Sequence, residues 1–155
     1  MKNGKARNTH DDFATPKELY DRLDAEFHFD FDPCPLHSPF DGLSPSCPWG
    51  QTNFINPPYT RTLKEAFIRR AYSESQNGKV CVMLLPVSTS TRIFHDIIYP
   101  NAEIRFLRGR PKFIFEKEGK TISNKSGQHD SMIVIFRPIS ASPINSYVHA
   151  PHEQL

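Results

Sequence analysis

Four consecutive residues, Asn56-Pro57-Pro58-Tyr59, carry groups able to hold a planar amine. Each proline fixes φ at about −65° and lacks an N–H, so the loop is stiff and its carbonyls face outward. Asn56 brings a side-chain carbonyl acceptor. Tyr59 brings a flat ring on which a base or similar planar group stacks. An –NH2 group in this loop would give one hydrogen to the Asn56 side chain and one to the Pro57 carbonyl. Two acceptors on one amine hold its lone pair out of the ring plane, where it can attack an electrophile. A Pro-Pro turn with a surface asparagine is common by itself. Directly after an apolar run, Thr52-Asn53-Phe54-Ile55, the tetrapeptide is much rarer, and chemistry is the better reading.

The elements that must position this loop are legible on its C-terminal side. Residues 61–76 repeat Leu63, Ala66, Phe67 and Ala71 on one helical face, and Asn77-Gly78 stops the helix. The run Lys79 to Leu85 is continuously apolar after its first residue, which predicts a strand buried on both faces of a parallel sheet. Strand, loop, helix and strand make a crossover unit that sets Asn56 and Pro86 side by side at carboxyl ends of strands. Ser88-Thr89-Ser90-Thr91-Arg92 follows, rich in hydroxyls and ending in a cation. It then runs into a short helix through Phe94, Ile97 and Ile98. These hydroxyls suit helix caps, and beside the Asn56 loop they also suit a nucleic-acid phosphate.

On the N-terminal side, Thr15 reads as an N-cap with Pro16 at the first helical position, ahead of Leu19, Leu23 and Phe27 at helical spacing. Phe27 to Phe31 alternates and predicts a strand, broken by Asp32-Pro33-Cys34-Pro35. Residues 36–51 read as a loop with one turn, in which Asp41 is either a turn residue or a ribose contact and Trp49 either core or part of a ligand slot. Cys34, His37 and Cys47 lack a fourth ligand at a metal-site spacing, so no metal is expected. Farther on, Ala102–Leu107 and Lys112–Phe115 read as two strands of a basic hairpin around Arg108-Gly109-Arg110-Pro111. Arg108, Arg110 and Lys112 are its phosphate-contact candidates. Residues 116–130 read as a loop and Ser131 to Phe136 as the closing strand.

At 155 residues the chain suits one domain, 13–137, between a basic arm at 1–12 and a tail at 138–155. Hydrophobic residues make up 37% and charged residues 23%, an ordinary soluble composition. No apolar run approaches a membrane span, so a cytoplasmic location is expected. Three irregularly spaced cysteines favour free thiols. A net charge of +2 neither demands nor excludes nucleic acid.

Asn56-Pro57-Pro58-Tyr59 after a strand resembles the catalytic motif of S-adenosylmethionine-dependent amino-methyltransferases. Phe13-Ala14-Thr15-Pro16, Asp32-Pro33-Cys34, Leu84-Leu85-Pro86, Phe106 to Arg110 and Ser131 to Val134 narrow the resemblance to phage-type Dam-like DNA N6-adenine methyltransferases. It spans residues 10–136. The resemblance implies an α/β fold: a minimal Rossmann-like methyltransferase sheet, mixed, with an antiparallel last strand. It implies S-adenosylmethionine as cofactor, touched by Phe13, Thr15, Pro16, Asp32, Pro33, Cys34 and Asp41. Thr15-Pro16 would hold its carboxylate end and Asp32 its amino group. It implies duplex DNA as partner, with a flipped adenine held by Asn56, Pro57, Pro58 and Tyr59 and flanking contacts from Ser88, Thr89, Arg92, Arg108, Arg110 and Lys112. A phage-encoded protein would act in the host cytoplasm.

Two departures stand out. The glycines expected after Asp32-Pro33 are replaced by Leu36 and His37. Asn56 follows Asp32 by only 24 positions, whereas a single crossover unit needs about 30 residues. Two strands of a full methyltransferase sheet are therefore expected to be absent, with the usual ribose-binding acid. A protein glutamine amide and cytosine N4 are alternative acceptors, and a catalytically silent nucleic-acid-binding module is a third reading.

Overall fold

The computed structural model describes residues 14–117, 120–126 and 129–138, with strands between 113 and 126 described by their backbone. The basic arm, Phe13, and the tail beyond residue 138 lie outside the described residues.

The first helix, α1 (Lys17–Phe27), buries Leu23 and carries an i,i+4 ion pair between Arg22 and Glu18 at 3.0 Å. Its N-cap is Pro16, with no side-chain cap, so the expected Thr15 cap is displaced by one residue. The helix ends where His28 turns left-handed at φ 56°, and Asp24 accepts the freed N–H groups of His28 at 2.8 Å and Phe29 at 2.9 Å.

The strand expected at Phe27–Phe31 is reduced to a single parallel bridge, Phe31 to Asn53. Phe27 belongs to the helix. Two backbone bonds, Asp30 N to Thr52 O at 2.9 Å and Phe54 N to Phe31 O at 3.1 Å, hold this segment to residues 52–55, and the Asp30 side chain adds acceptance from Gln51 and Thr52 N–H groups at 3.2 and 3.1 Å. The alternating aromatics divide between the two layers: Phe27 and Phe29 stack at 6.0 Å against the α1-side core, whereas Phe31 packs with the other.

The strands β1 (Thr52–Ile55) and β2 (Val80–Pro86) run parallel, joined by α2 (Arg61–Gln76). Gly78, at φ 90°, supplies the left-handed turn out of α2 that a side chain would resist. A π-helical turn at Phe94–Ile98 continues into α3 (Tyr99–Asn101), then β3 (Glu103–Phe106). The last strand, β6 (Ser131–Phe136), runs antiparallel between β2 and β3, giving the order β1-β2-β6-β3. The described residues thus form a mixed α/β fold with a four-stranded open sheet and three helical segments.

Two expectations are overturned between β3 and β6. The strand at 103–106 does not pair with the strand that follows the Arg108-Gly109-Arg110 turn, because its partner is β6. Instead β4 (Lys112–Lys117) pairs with β5 (Lys120–Ser126), a strand in the stretch read as loop. This two-stranded ribbon is inserted between neighbouring strands of the main sheet.

The apolar runs of β2 and β6 lack polar alternation because both faces of the sheet are covered. Met83, Leu85, Val134 and Phe136 pack with Phe67, Ile68 and Ala71 of α2 on one side. Val82, Leu84, Ile133 and Ile135 pack with Leu23 and Phe54 on the α1 side. Each such side chain contributes about 1.5–3 kcal/mol on burial. Arg105 of β3 clamps the end of α1 through Glu26 at 2.6 and 2.8 Å. Glu103 joins Arg105 at 2.6 Å and Arg137 at 3.0 Å. Both guanidinium groups lie over the Phe27 ring. These charges also guard an open sheet edge.

Candidate active site

The carboxyl ends of β1 and β2 form one rim of the sheet. Asn56 leaves β1 directly after Ile55, which registers with Met83, while Pro86 closes β2. Pro57 and Pro58 are buried and Asn56 is half-buried, so the stiff loop is set into the rim. The Asn56 carboxamide is tied down on one side: Nδ2 donates to Thr15 Oγ1 at 3.1 Å. Thr15 therefore meets the Asn56 loop, a contact that its reading as a helix cap did not reveal.

Tyr59 is partly buried against the α1-side layer of the core. Burial pushes its hydroxyl well above the usual phenol value, so it stays protonated.

The Phe31–Asn53 bridge brings Asp32-Pro33-Cys34 to the same rim. Asp32 is half-buried, and its Oδ1 accepts from Cys34 N at 2.8 Å. The following segment packs tightly under that loop. A Cβ on Gly42 would stand 1.8 Å from the Pro33 carbonyl oxygen, so only glycine fits. Trp49 is core: it is 4% exposed and donates Nε1–H to Gly42 O at 2.8 Å. Asp41 is exposed and closes a local turn by accepting from Leu43 N at 2.9 Å. Phe40, 40% exposed, stacks on Phe31 at 5.8 Å and presents an aromatic face beside the Asp32 loop. Sequence reasoning passed over Phe40, since its only signal is an isolated aromatic in an aperiodic loop.

Across the rim, Ser88 and Arg92 line a cavity of about 450 Å³ with the start of α2, whereas Thr89 is exposed. Thr91 caps the next helix, its Oγ1 accepting from Phe94 N at 3.3 Å. Arg108, Arg110 and Lys112 are exposed at the root of the β4–β5 ribbon, and Arg110 pairs with Asp130 at 3.1 Å. Phe106, 64% exposed, ends β3 beside them. Among the described residues no three His, Cys, Asp or Glu side chains form a group able to hold a metal ion, and no helix is long and apolar enough to cross a membrane.

No curated protein and no solved structure matches the chain. Residues 44–154 do match a family model, that of DNA N-6-adenine-methyltransferase (Dam). The match takes in the Asn56 loop, both parallel strands, the ribbon and the inserted antiparallel strand. With well over half of its length covered, the chain belongs to the DNA N-6-adenine-methyltransferase (Dam) family.

Proposed function

We propose that this chain transfers a methyl group from S-adenosylmethionine to N6 of an adenine flipped out of duplex DNA. Family membership supports DNA adenine N6-methylation in general terms. One observation carries the finer reading: a carboxamide at the carboxyl end of β1, held through Nδ2 by Thr15 and followed at once by two buried prolines. That arrangement suits an acceptor pair, Asn56 Oδ1 and Pro57 O, fixed before the substrate arrives. The order β1-β2-β6-β3, with Phe31 bridged outside β1, supports a minimal methyltransferase sheet lacking two strands.

The rim suits the cofactor. Asp32 would accept its amino group, Thr15 lies beside the amine-holding loop, and the Phe31–Phe40 pair offers a face for its adenine. When bound, S-adenosylmethionine supplies an electrophilic sulfonium methyl. Asn56 and Pro57 draw the two amine hydrogens into fixed directions, which turns the N6 lone pair toward that methyl. Tyr59 would support the base by stacking. The nitrogen becomes cationic on methylation and sheds its extra proton readily. No side chain is required as a general base. Ser88, Thr89, Arg92, Arg108, Arg110 and Lys112 supply contacts along the DNA backbone, offsetting the few kcal/mol that base extrusion costs.

The test is tritium transfer from labelled cofactor to unmethylated duplex DNA. Label is expected as N6-methyladenine, and Asn56→Ala should lower kcat on the order of a hundredfold while calorimetry still registers cofactor binding. Undiminished transfer by that variant would remove Asn56 from the mechanism. An absence of both label and cofactor binding in the wild type would refute the enzyme reading.

A further inference from the structure

We propose that the cavity between the start of α2 and residues 88–93 is a second nucleotide subsite. It would take the phosphate-bearing nucleotide next to the extruded adenine. This rests on the DNA methyltransferase reading and deepens it. The volume, about 450 Å³, is in the range of small-ligand pockets. Its chemistry is divided as a nucleotide is divided. Arg61, Lys64 and Arg92 stand among the lining residues with the hydroxyls of Ser88 and Ser90, against one carboxylate, Glu65. The apolar remainder of the lining includes Leu85, Ile98 and Met132.

The charges are unevenly used. Arg61 pairs with Glu65 at 3.3 Å. The side chains of Lys64 and Arg92 have no acidic partner among the described residues. With Glu65 spent on Arg61, the two cations without an acidic partner among the described residues, beside hydroxyl donors, suit a phosphate, whose contacts position a strand without reading its sequence. The apolar lining suits the sugar or base of the same unit, which inorganic phosphate would leave uncovered.

The cavity is distinct from the amine-holding loop. None of Asn56 to Tyr59 lines it, and Tyr59 packs on the opposite, α1 side of the sheet. The two are nonetheless consecutive in the chain, because α2 begins two residues after Tyr59. A strand engaged at Asn56 therefore has this cavity as its neighbour.

Fluorescence anisotropy of a labelled DNA duplex, titrated with the full chain over a range of salt concentrations, tests the proposal. The double variant Lys64→Ala/Arg92→Ala should weaken binding on the order of tenfold. It should also reduce the slope of log affinity against log salt by about 1 to 2. The charge-conserving pair Lys64→Arg/Arg92→Lys should keep most of that slope. A scan of single neutral methylphosphonates should weaken wild-type binding at one position beside the methylated adenine. The double variant should be insensitive there. Equal affinity and slope in wild type and double variant would overturn the subsite, as would equal losses across the scan. Failed methyl transfer to DNA with the slope change intact would refute the methylation reading and leave the cavity as a strand-binding site.

Discussion

Two loops meet at the rim and are built on opposite terms. Between residues 30 and 50 nearly every polar group is spent inside the protein. Asp32 and Asp41 close turns, and Trp49 reaches Gly42. Arg70 of α2 holds the Ser44 and Cys47 carbonyls at 3.3 and 3.0 Å while lying over the Trp49 ring. Lys79 reaches the Trp49 carbonyl at 3.1 Å. The loop at 87–93 is fastened mainly at its ends, through Val87 N to Asp130 O at 2.8 Å and through the Thr91 cap. Its cation, Arg92, is exposed and lines the cavity. The first loop is mainly scaffold: apart from the cofactor contacts proposed for Asp32 and the Phe31–Phe40 pair, its residues matter through stability. The second leaves charge uncompensated, and its residues should matter through what they bind.

Gly42→Ala is expected to break the scaffold loop most severely. The new methyl would meet backbone rather than a movable side chain, and overpacking of that kind costs about 3 kcal/mol. Urea unfolding measures it, and a loss under about 1 kcal/mol would mean that the Pro33 contact yields.

Next in size is the contrast between two arginines. Arg70→Ala removes two carbonyl partners and half the neutralisation of Glu74, so about 2 kcal/mol is expected. Arg92→Ala should stay within about 0.5 kcal/mol. Similar losses at both positions would dissolve the distinction between the loops.

The smallest effect is in acid. Burial raises the Glu74 carboxyl, but hydrogen bonds from Lys79 and Arg70 outweigh it and hold the group below its ordinary 4.5. A depressed carboxyl contributes stability above its unfolded value and loses it as pH falls through the folded one. The gap in Tm between wild type and Glu74→Gln should therefore be widest near neutral pH and close below about pH 4.5. A gap independent of pH would assign the effect to shape alone.

What the sequence made legible was local or periodic. The α2 helix carries its apolar face and its Asn77-Gly78 stop within a few turns, and β2 carries its apolar run in consecutive residues. The Asn56 loop was legible because its chemistry sits in four adjacent residues. Pairings between distant segments were not. Arg108-Gly109-Arg110-Pro111 looks like the turn of a hairpin, yet β6 takes β3 as its partner and leaves β4 to β5. The strand expected at Phe27–Phe31 shrinks to one bridge because α1 runs on through Phe27 and His28 turns left-handed, which the alternation does not reveal. The Thr15–Asn56 contact joins a helix entrance to a strand exit and has no local signature.

The position of β6 has a consequence for how the chain reaches its fold. It is the last strand among the described residues and, like β2, has two neighbours, since Cys81 awaits Phe136 and Glu103 awaits Ile135. Until β6 arrives, β2 has one bare edge and β3 has no partner in the main sheet. The α2 crossover can form early from near contacts, but closing the sheet requires a loop spanning the whole of η-turn, β3 and ribbon, so sheet completion should limit the folding rate. A nascent chain stalled before Ser131 would present the apolar edge of β2 to any other strand it meets, so its hazard is aggregation rather than slow turnover.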